Sequence, residues 1–160
     1  MKKNKTIELG RYKEIISKHL YKSDNIRKMI IGDKKLSPVE QIKEFHSRVK
    51  SHLFVDDTIT DEGTFIFYDV VCPRYRATTK DIKVIMYIIC HRNILDNFSV
   101  EGYYGNRADI LSEMVEDAIV VDTTVSNQFG IGELDLSGNE IYNSKRFYGR
   151  LLTFEVPNFR

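Results

Sequence analysis

The sequence predicts an α+β domain with a mostly antiparallel sheet, helices packed on that sheet, and extra helices near the N-terminus. Residues 105–119 have the periodicity of a helix with one apolar face. Runs rich in β-branched and aromatic residues lie on both sides of it, at residues 65–72, 82–90 and 147–156. Because such a helix needs an apolar surface to lie on, we expect these three runs to form the sheet that it covers.

Length and charge favour one domain of ordinary globular character. A chain of 160 residues can bury one substantial core but is too short for two. We expect a flexible basic arm over residues 1–8, followed by a single α+β domain over residues 9–160. The net charge of +1 lacks the basic excess that is typical of dedicated nucleic-acid binders.

Neither a membrane segment nor a disulfide is expected. The longest apolar runs fall far short of the roughly 20 residues that cross a bilayer, so we expect no membrane partner. No apolar stretch follows the positively charged start, which argues against a cleaved signal peptide. Cys72 and Cys90 would lie at opposite ends of a hairpin that turns at residues 73–80, and we expect two reduced thiols.

Three helices are predicted before the first long strand. Residues 9–31 have the periodicity of two helices, the second of them capped by Ser23. A third helix is expected to begin at Ser37-Pro38, because Ser at the N-cap, Pro at the first position and Glu40 each satisfy or avoid a free amide. The side chains predicted to form its buried face are Val39, Ile42, Phe45, Val49 and Leu53.

The helix at residues 105–119 carries its own start signal. Asn106 is the predicted N-cap, and Asp109 lies three residues further on, where it can reach back to the first free amides. Leu111, Met114 and Val115 form the centre of the apolar stripe. We therefore predict that these three side chains lie in the core.

The strands are apolar at both odd and even positions in residues 64–72 and 81–91, a pattern typical of strands that are covered on both faces. Helices of the same chain can cover one face. The other face needs either the N-terminal helices or another subunit, and the second option favours oligomerisation. A short strand is expected at residues 133–136, and Ser137-Gly138-Asn139 is typical of a turn.

No motif of known catalytic spacing is present. GxSxG, HExxH and Walker sequences are missing, and His46 and His52 are spaced too poorly to share a metal on one helical face. We expect no cofactor, no metal and no enzymatic activity. One alternative is a Mg²⁺-dependent restriction-type nuclease, in which Asp69 and Asp81 hold the metal and Lys83 steadies the attacking water. Another alternative is a non-catalytic cytosolic binding module.

The predicted elements after residue 64 follow a distinctive order. A strand at residues 82–91 is followed by the helix start GNRADIL, by a loop ending in FGIGELDL, and by a last strand, RFYGRLLTFEV. Over residues 64–158 this resembles neck proteins of tailed bacteriophages, in particular the tail terminator or tail-completion family. The resemblance implies a virion subunit that forms a hexameric ring, caps the tail tube protein and meets a head-completion or connector protein. DNA would be a partner only as the passing genome.

Two sets of residues are candidates for contacts in such a ring. The loops at residues 92–105 and 121–132 are polar and contain glycine, a composition that adapts to a neighbouring subunit. If the ring encloses a channel, carboxylates on its wall would keep DNA from adhering. The alternative is that the acidic residues 56, 57, 61 and 62 lie in an exposed hairpin on the outer wall of the ring. The interface candidates are Asn93, Asn97, Tyr103, Tyr104, Thr124, Asn127 and Phe129, and the lumen-facing candidates are Asp56, Asp57, Asp61 and Glu62.

Overall fold

The computed structural model describes residues 5–56, 58–121 and 134–159. In this part of the chain, four α-helices lie on a mixed, mostly antiparallel sheet of five strands, so the predicted α+β class is confirmed. A short 3₁₀ turn follows the third strand, and a π-helical turn extends the last helix. The helices are α1 (Lys5–Lys22), α2 (Asp24–Ile31), α3 (Pro38–Arg48) and α4 (Arg107–Glu116), and the strands are β1 (Val49–Lys50), β2 (Thr64–Tyr75), β3 (Lys80–His91), β4 (Asp135–Asn143) and β5 (Phe147–Phe159).

The strands lie in the order β1-β2-β3-β5-β4. The short β1 runs parallel to β2, and every other neighbouring pair is antiparallel. Cross-strand register places Tyr68 opposite Met86, and Met86 opposite Leu152. These three side chains are buried on the face that carries the helices, which we call the helix face. The opposite side of the sheet is the open face.

One continuous core lies between the helices and the helix face. Ile16, Leu20 and Ile26 of the N-terminal helices are fully buried in it. From α4, Leu111 and Val115 are fully buried and Met114 is 3% exposed, which confirms the predicted centre of the apolar stripe. The N-terminal helices therefore share the helix face with α4 and leave the open face without a helix of their own.

The helix starts follow local sequence signals. Ser23 accepts a hydrogen bond from the Ile26 amide, and Ser37 forms a reciprocal capping box with Glu40. Asn106 and Asp109 form the second capping box at the start of α4. All three predicted caps are confirmed, because a cap depends on residues three apart and needs no tertiary contact.

The first helix begins earlier than its apolar pattern indicated. It starts at Lys5, inside the segment predicted as a flexible arm, whereas the pattern became helical at Leu9. Glu8 forms an ion pair with Lys80 at the start of β3. This tie between α1 and the sheet supports a turn of helix that carries few apolar residues.

The predicted buried face of α3 is wrong in part. Phe45 is fully buried and packs edge to face on Tyr21 with ring centroids 5.1 Å apart, but Val39 is 74% exposed and Ile42 is 46% exposed. The helix ends at Arg48, and Val49 continues as β1. Only the C-terminal half of α3 approaches the sheet, so the apolar side chains of its first turns face solvent.

The predicted turn at residues 137–139 is also wrong, because these residues lie inside β4. The register between β4 and β5 shifts between Leu136 and Gly138, and the extra residue, Ser137, forms a bulge. Its hydroxyl donates to the Thr153 carbonyl oxygen at 3.2 Å. A long partner strand thus supplies hydrogen bonds to a segment whose composition alone favours a turn.

Both cysteines are free, as predicted. Cys90 lies opposite Thr64 at one end of the β2–β3 hairpin, and Cys72 lies near the other end. Burial raises the pKa of the Cys90 thiol to about 11, with small opposing effects of Arg107 and Asp96. Within the described residues, none of the helices combines the length and apolarity that a membrane span requires.

Candidate interaction surface

The open face consists of alternate side chains from four strands that lie opposite one another in rows. Phe65 lies opposite Ile89, and Ile89 lies opposite Gly149. Two rows along, Ile85 lies opposite both Asp69 and Thr153. The sequence predicted that both faces of these strands would be apolar. The open face carries the second set of apolar side chains, which does not belong to the main core.

One half of the open face is covered by residues 51–63, which we call the covering loop. Val55 and Ile59 of this loop pack on a small cluster of buried aromatic and aliphatic side chains that is separate from the main core. Since each buried side chain of this size contributes about 1.5–3 kcal/mol, the cluster fixes the loop on the sheet. Its buried members are Phe65, Phe67, Ile89 and Phe147.

Arg48 holds the covering loop to the end of α3. Its Nε donates to Glu44 at 3.0 Å, and its Nη2 donates to Asp61 at 2.7 Å. Its side chain is only 11% exposed, and the guanidinium lies 5.4 Å from the centre of the Phe65 ring. Hydrogen bonds from Lys34 and, to a smaller extent, from Arg48 lower the pKa of the Glu44 carboxyl.

The far end of the covering loop is held by the neighbouring turns. The Asn93 side-chain amide donates to Glu62 at 2.7 Å, and the His91 backbone amide donates to the Gly63 carbonyl at 3.0 Å. Arg146 donates to the Ile59 carbonyl at 3.3 Å. The covering loop is therefore attached along its length by charged and polar contacts.

The other half of the open face has no covering segment within the described residues. Lys83 and Glu155 pair across this half at 3.0 Å, and both side chains are about two-fifths exposed, so the pair adds little to stability. Around this pair lie half-exposed apolar side chains. We call this half the uncovered patch; its members are Val71, Lys83, Ile85, Tyr87, Leu151 and Glu155.

Tyr87 of the uncovered patch is in contact with Tyr142 of β4, next to a glycine of β5. A β-carbon on Gly149 would overlap the carbonyl oxygen of Ile88, so only glycine fits this position. Tyr142 lies opposite Gly149 on β4, and its ring centre is 4.9 Å from that of Tyr87. The aromatic pair thus fills the space that the missing side chain leaves.

The predicted interface residues have different surroundings. Asn93 and Asn97 are exposed, and Asn97 has a positive φ of 59°. Tyr104 is 85% exposed, whereas Tyr103 is half-buried against the core. Thr124, Asn127 and Phe129, which complete the prediction, lie outside the described residues. Tyr104 is therefore the large side chain of this loop that is available to a partner.

The predicted lumen residues are engaged in local contacts. Asp56 accepts hydrogen bonds from the Thr58 hydroxyl at 2.6 Å and its backbone amide at 2.9 Å, which lower its pKa. Asp61 pairs with Arg48, and Glu62 accepts from Asn93, so the acidic loop and the 92–105 loop meet. Asp57 lies outside the described residues. No sequence pattern indicated this contact, because its partners are 31 residues apart.

The structure does not bring the nuclease candidates together. Asp69 lies opposite Ile85, so Asp81 is four strand positions away, or about 14 Å. Carboxylates that share a Mg²⁺ ion must lie within a few ångströms of each other. Each candidate also has its own partner: Asp69 pairs with Lys13 at 2.8 Å, Asp81 with Arg76 at 2.7 Å, and Lys83 with Glu155 at 3.0 Å. In the described part of the chain, no cluster of three or more His, Cys, Asp or Glu side chains is placed to hold a metal ion.

Comparison with known proteins gives one match. The model of the YomW family matches residues 13–156, which is nearly the whole chain. YomW proteins derive from a Bacillus phage, an SPBeta-like prophage. No curated protein and no solved structure matches the chain. The bacteriophage origin predicted from the sequence is thereby confirmed, while the tail-terminator role stays a prediction. The chain belongs to the YomW family of phage-derived proteins.

Proposed function

We propose that this protein is a structural subunit of a phage particle, a tail terminator or neck protein that assembles as a ring, most simply a hexamer. In this role it caps the tail tube and joins it to a head-completion or connector protein. Its place is the virion, its DNA contact is with the passing genome, and it acts by binding rather than by catalysis.

The uncovered patch is the observation that carries the proposal. It presents partly exposed apolar side chains next to one weak ion pair, on the open face of the sheet. Contiguous apolar surface of this kind marks a contact with another protein more often than a free surface. A phage-derived protein whose sheet is buried on one face and half open on the other fits a subunit that completes its fold in an assembly.

The loops at the end of the sheet supply a second contact region in this proposal. Tyr104 projects from the 92–105 loop, and aromatic side chains of this kind are frequent anchors in protein interfaces. The covering loop is joined to the same end by the Glu62–Asn93 contact. We therefore place the patch between subunits of the ring and the loop end toward the tube or the connector.

The test is an assembly experiment in an infected or induced host. Mass spectrometry of purified particles should find the protein, and particles made with Ile85→Asp and Leu151→Asp should lack joined heads and tails. Ile141→Asp is the matched control, because Ile141 is 62% exposed on the sheet but outside the patch. Absence of the protein from purified particles, or normal particles with the doubly substituted chain, would refute the proposal.

The catalytic alternative has its own test. Wild-type protein and a Lys83→Ala variant are incubated with DNA and Mg²⁺. We expect no cleavage by either protein. Cleavage by the wild type that Lys83→Ala abolishes would establish the nuclease instead.

The lumen hypothesis needs a split design, because two of its four carboxylates also hold the covering loop. Replacing Asp56 and Asp57 with Asn removes charge and leaves the Asp61–Arg48 pair in place. Replacing Asp61 with Asn and Glu62 with Gln removes charge and anchors together. A lumen role predicts slower DNA release from intact particles with either pair replaced, and unchanged release kinetics with both pairs would leave the outer-wall alternative.

A further inference from the structure

A second surface lies on the other side of the molecule, between α1 and α3. Tyr21 joins the two helices, because its ring packs edge to face on Phe45 and stacks on His46 at 6.2 Å. Two clefts, of about 390 and 630 Å³, lie beside this contact, and both are lined by Ser17 and His46. They are adjoining parts of one groove, which we call the α1–α3 groove.

The α3 side of the groove is apolar and exposed. Ile42 lines it and is 46% exposed, and Val39, one turn earlier on the same side of the helix, is 74% exposed. These are the side chains whose spacing predicted a buried face. Helical periodicity thus predicts a partner for this stripe, and no described residue of the chain covers it.

The rest of the groove, along α1 and at Lys50 of β1, is basic. Lys18, Lys22 and Lys50 line it, and none of them forms an ion pair with another side chain among residues 5–56, 58–121 and 134–159. Lys13 also lines it, but its ammonium is paired with Asp69 at 2.8 Å. Glu14 is the acidic residue of the lining. In a chain of net charge +1, this concentration of unpaired lysines is a local feature.

We propose that the α1–α3 groove docks an acidic amphipathic helix of a partner protein. Apolar side chains of that helix would cover Ile42 and Val39, and its carboxylates would meet Lys18 and Lys22. An apolar stripe with a charged rim is the usual composition of a groove that receives a helix. The 11 residues of α3 span about 16 Å, which matches about three turns of a docked helix.

The groove suits a peptide better than a nucleic acid. Single-stranded nucleic acids need free aromatic faces on which bases stack. Tyr21 is already in contact with Phe45, His46 and the Arg27 guanidinium, which lies 5.1 Å from its ring centre. Of the other rings in the lining, Tyr68 is 2% exposed and its hydroxyl donates to the Lys13 carbonyl oxygen at 2.9 Å, and the centre of the His52 ring lies 5.9 Å from that of Phe67. Aliphatic side chains such as Ile42 offer a base no stacking surface. The proposal is independent of the ring, because the groove and the uncovered patch share no residue.

The test uses fluorescence anisotropy with a labelled synthetic helix of about four turns, which carries Leu at helical spacing and Glu at its other positions. We expect binding that weakens as salt is added, because the attraction between exposed charges is screened. Lys18→Glu combined with Lys22→Glu should weaken binding at least about tenfold, and Ile42→Asn should do the same without changing the charge of the groove. Lys145→Glu, an exposed lysine on the β4–β5 turn, is the control and should leave binding unchanged.

Four results would overturn the proposal. The first is no binding of the acidic helix at low salt, and the second is equal binding of the same helix with Lys in place of Glu. The third is equal binding by the wild type and the Lys18/Lys22 variant. The fourth is displacement of the helix by a single-stranded oligonucleotide that binds more tightly. Sedimentation of the same variants tests a second copy of the chain as the occupant. Self-association that Ile42→Asn abolishes would assign the groove to that copy instead. The substituted side chains are exposed, so circular dichroism should show a native fold for each variant.

Discussion

An added methyl group at Gly149 should lower the free energy of unfolding by a large amount. Gly149 lies on β5 opposite Ile89, and a β-carbon there would overlap the Ile88 carbonyl oxygen and lie 2.8 Å from the Ile89 α-carbon. These contacts are with backbone, so no side-chain rotation relieves them. Gly149→Ala therefore forces β3 and β5 apart at the centre of the sheet.

The magnitude follows from two contributions. Overpacking of a buried site costs about 1–3 kcal/mol. Separation of the strands also weakens the ladder hydrogen bonds on either side, at about 0.5–1.5 kcal/mol each. We expect the free energy of unfolding to fall by about 3–5 kcal/mol, which for a domain of this size lowers Tm by roughly 10 °C or more.

Two other glycines of the same chain are the controls. A β-carbon on Gly138 would meet Thr153 at 3.5 Å, an ordinary contact, so Gly138→Ala should change stability by less than about 0.5 kcal/mol. A β-carbon on Gly10 meets nothing within 4 Å, and Gly10→Ala in α1 should stabilise by about 0.5–1 kcal/mol.

Urea unfolding followed by circular dichroism measures all three variants. The order of stability should be Gly10→Ala, then Gly138→Ala, then Gly149→Ala. If Gly149→Ala unfolds within about 1 kcal/mol of the wild type, the β3–β5 register in this region is wrong. In that case the rows that define the uncovered patch would have to be redrawn as well.

Three further predictions concern the core, the covering loop and the buried thiol. Leu111→Ala should lower the free energy of urea unfolding by about 2–5 kcal/mol, and a loss below about 0.5 kcal/mol would mean that α4 faces elsewhere. Arg48→Met should speed amide hydrogen exchange in residues 51–63, because it removes the ion pair with the loop, and unchanged exchange would show that apolar packing alone holds it. The pKa of Cys90 rises from 9.0 in the unfolded chain to about 11, so the unfolded state loses its proton first and stability should fall as pH rises from about 9 toward 11. Cys90→Ala should flatten that slope between pH 9 and 11 in urea titrations, and an equal slope in both proteins would contradict it.

The sequence predicted what depends on local spacing and on composition. The caps at Ser37 and Asn106 and the three long strands were predicted correctly, because each signal lies within a few residues. Of the strand at residues 135–143, only the start was predicted, as the end of a short strand at 133–136. The rest was missed, since its hydrogen bonds come from β5 and residues 137–139 favour a turn. Local propensity is overridden where a long partner strand is available.

The candidate surfaces were harder to predict, because they depend on how elements that are far apart in the sequence pack together. Apolar residues at both odd and even positions of β3 correctly indicated apolar side chains on both faces of the sheet. They did not show that α1 and α2 would join α4 on the helix face, nor that the described residues would cover only half of the open face. The same limitation applies to Arg48, whose contact with Asp61 spans 13 residues, and to the exposed stripe on α3. Periodicity identifies an apolar face, and only the tertiary structure shows what covers it.

The strand order carries a consequence for how the chain folds during synthesis. β5 lies between β3 and β4, although it follows both of them in the sequence. While the ribosome is still making residues 147–159, β3 has one free edge and β4 has no neighbour in the sheet. The β2–β3 hairpin and the helices can form early from local contacts, but the sheet closes only when β5 inserts between two waiting strands. The slow step of folding is therefore expected to be this insertion. Until it occurs, the nascent chain exposes one edge of β3 and both edges of β4, which a chaperone or another copy of the chain can bind.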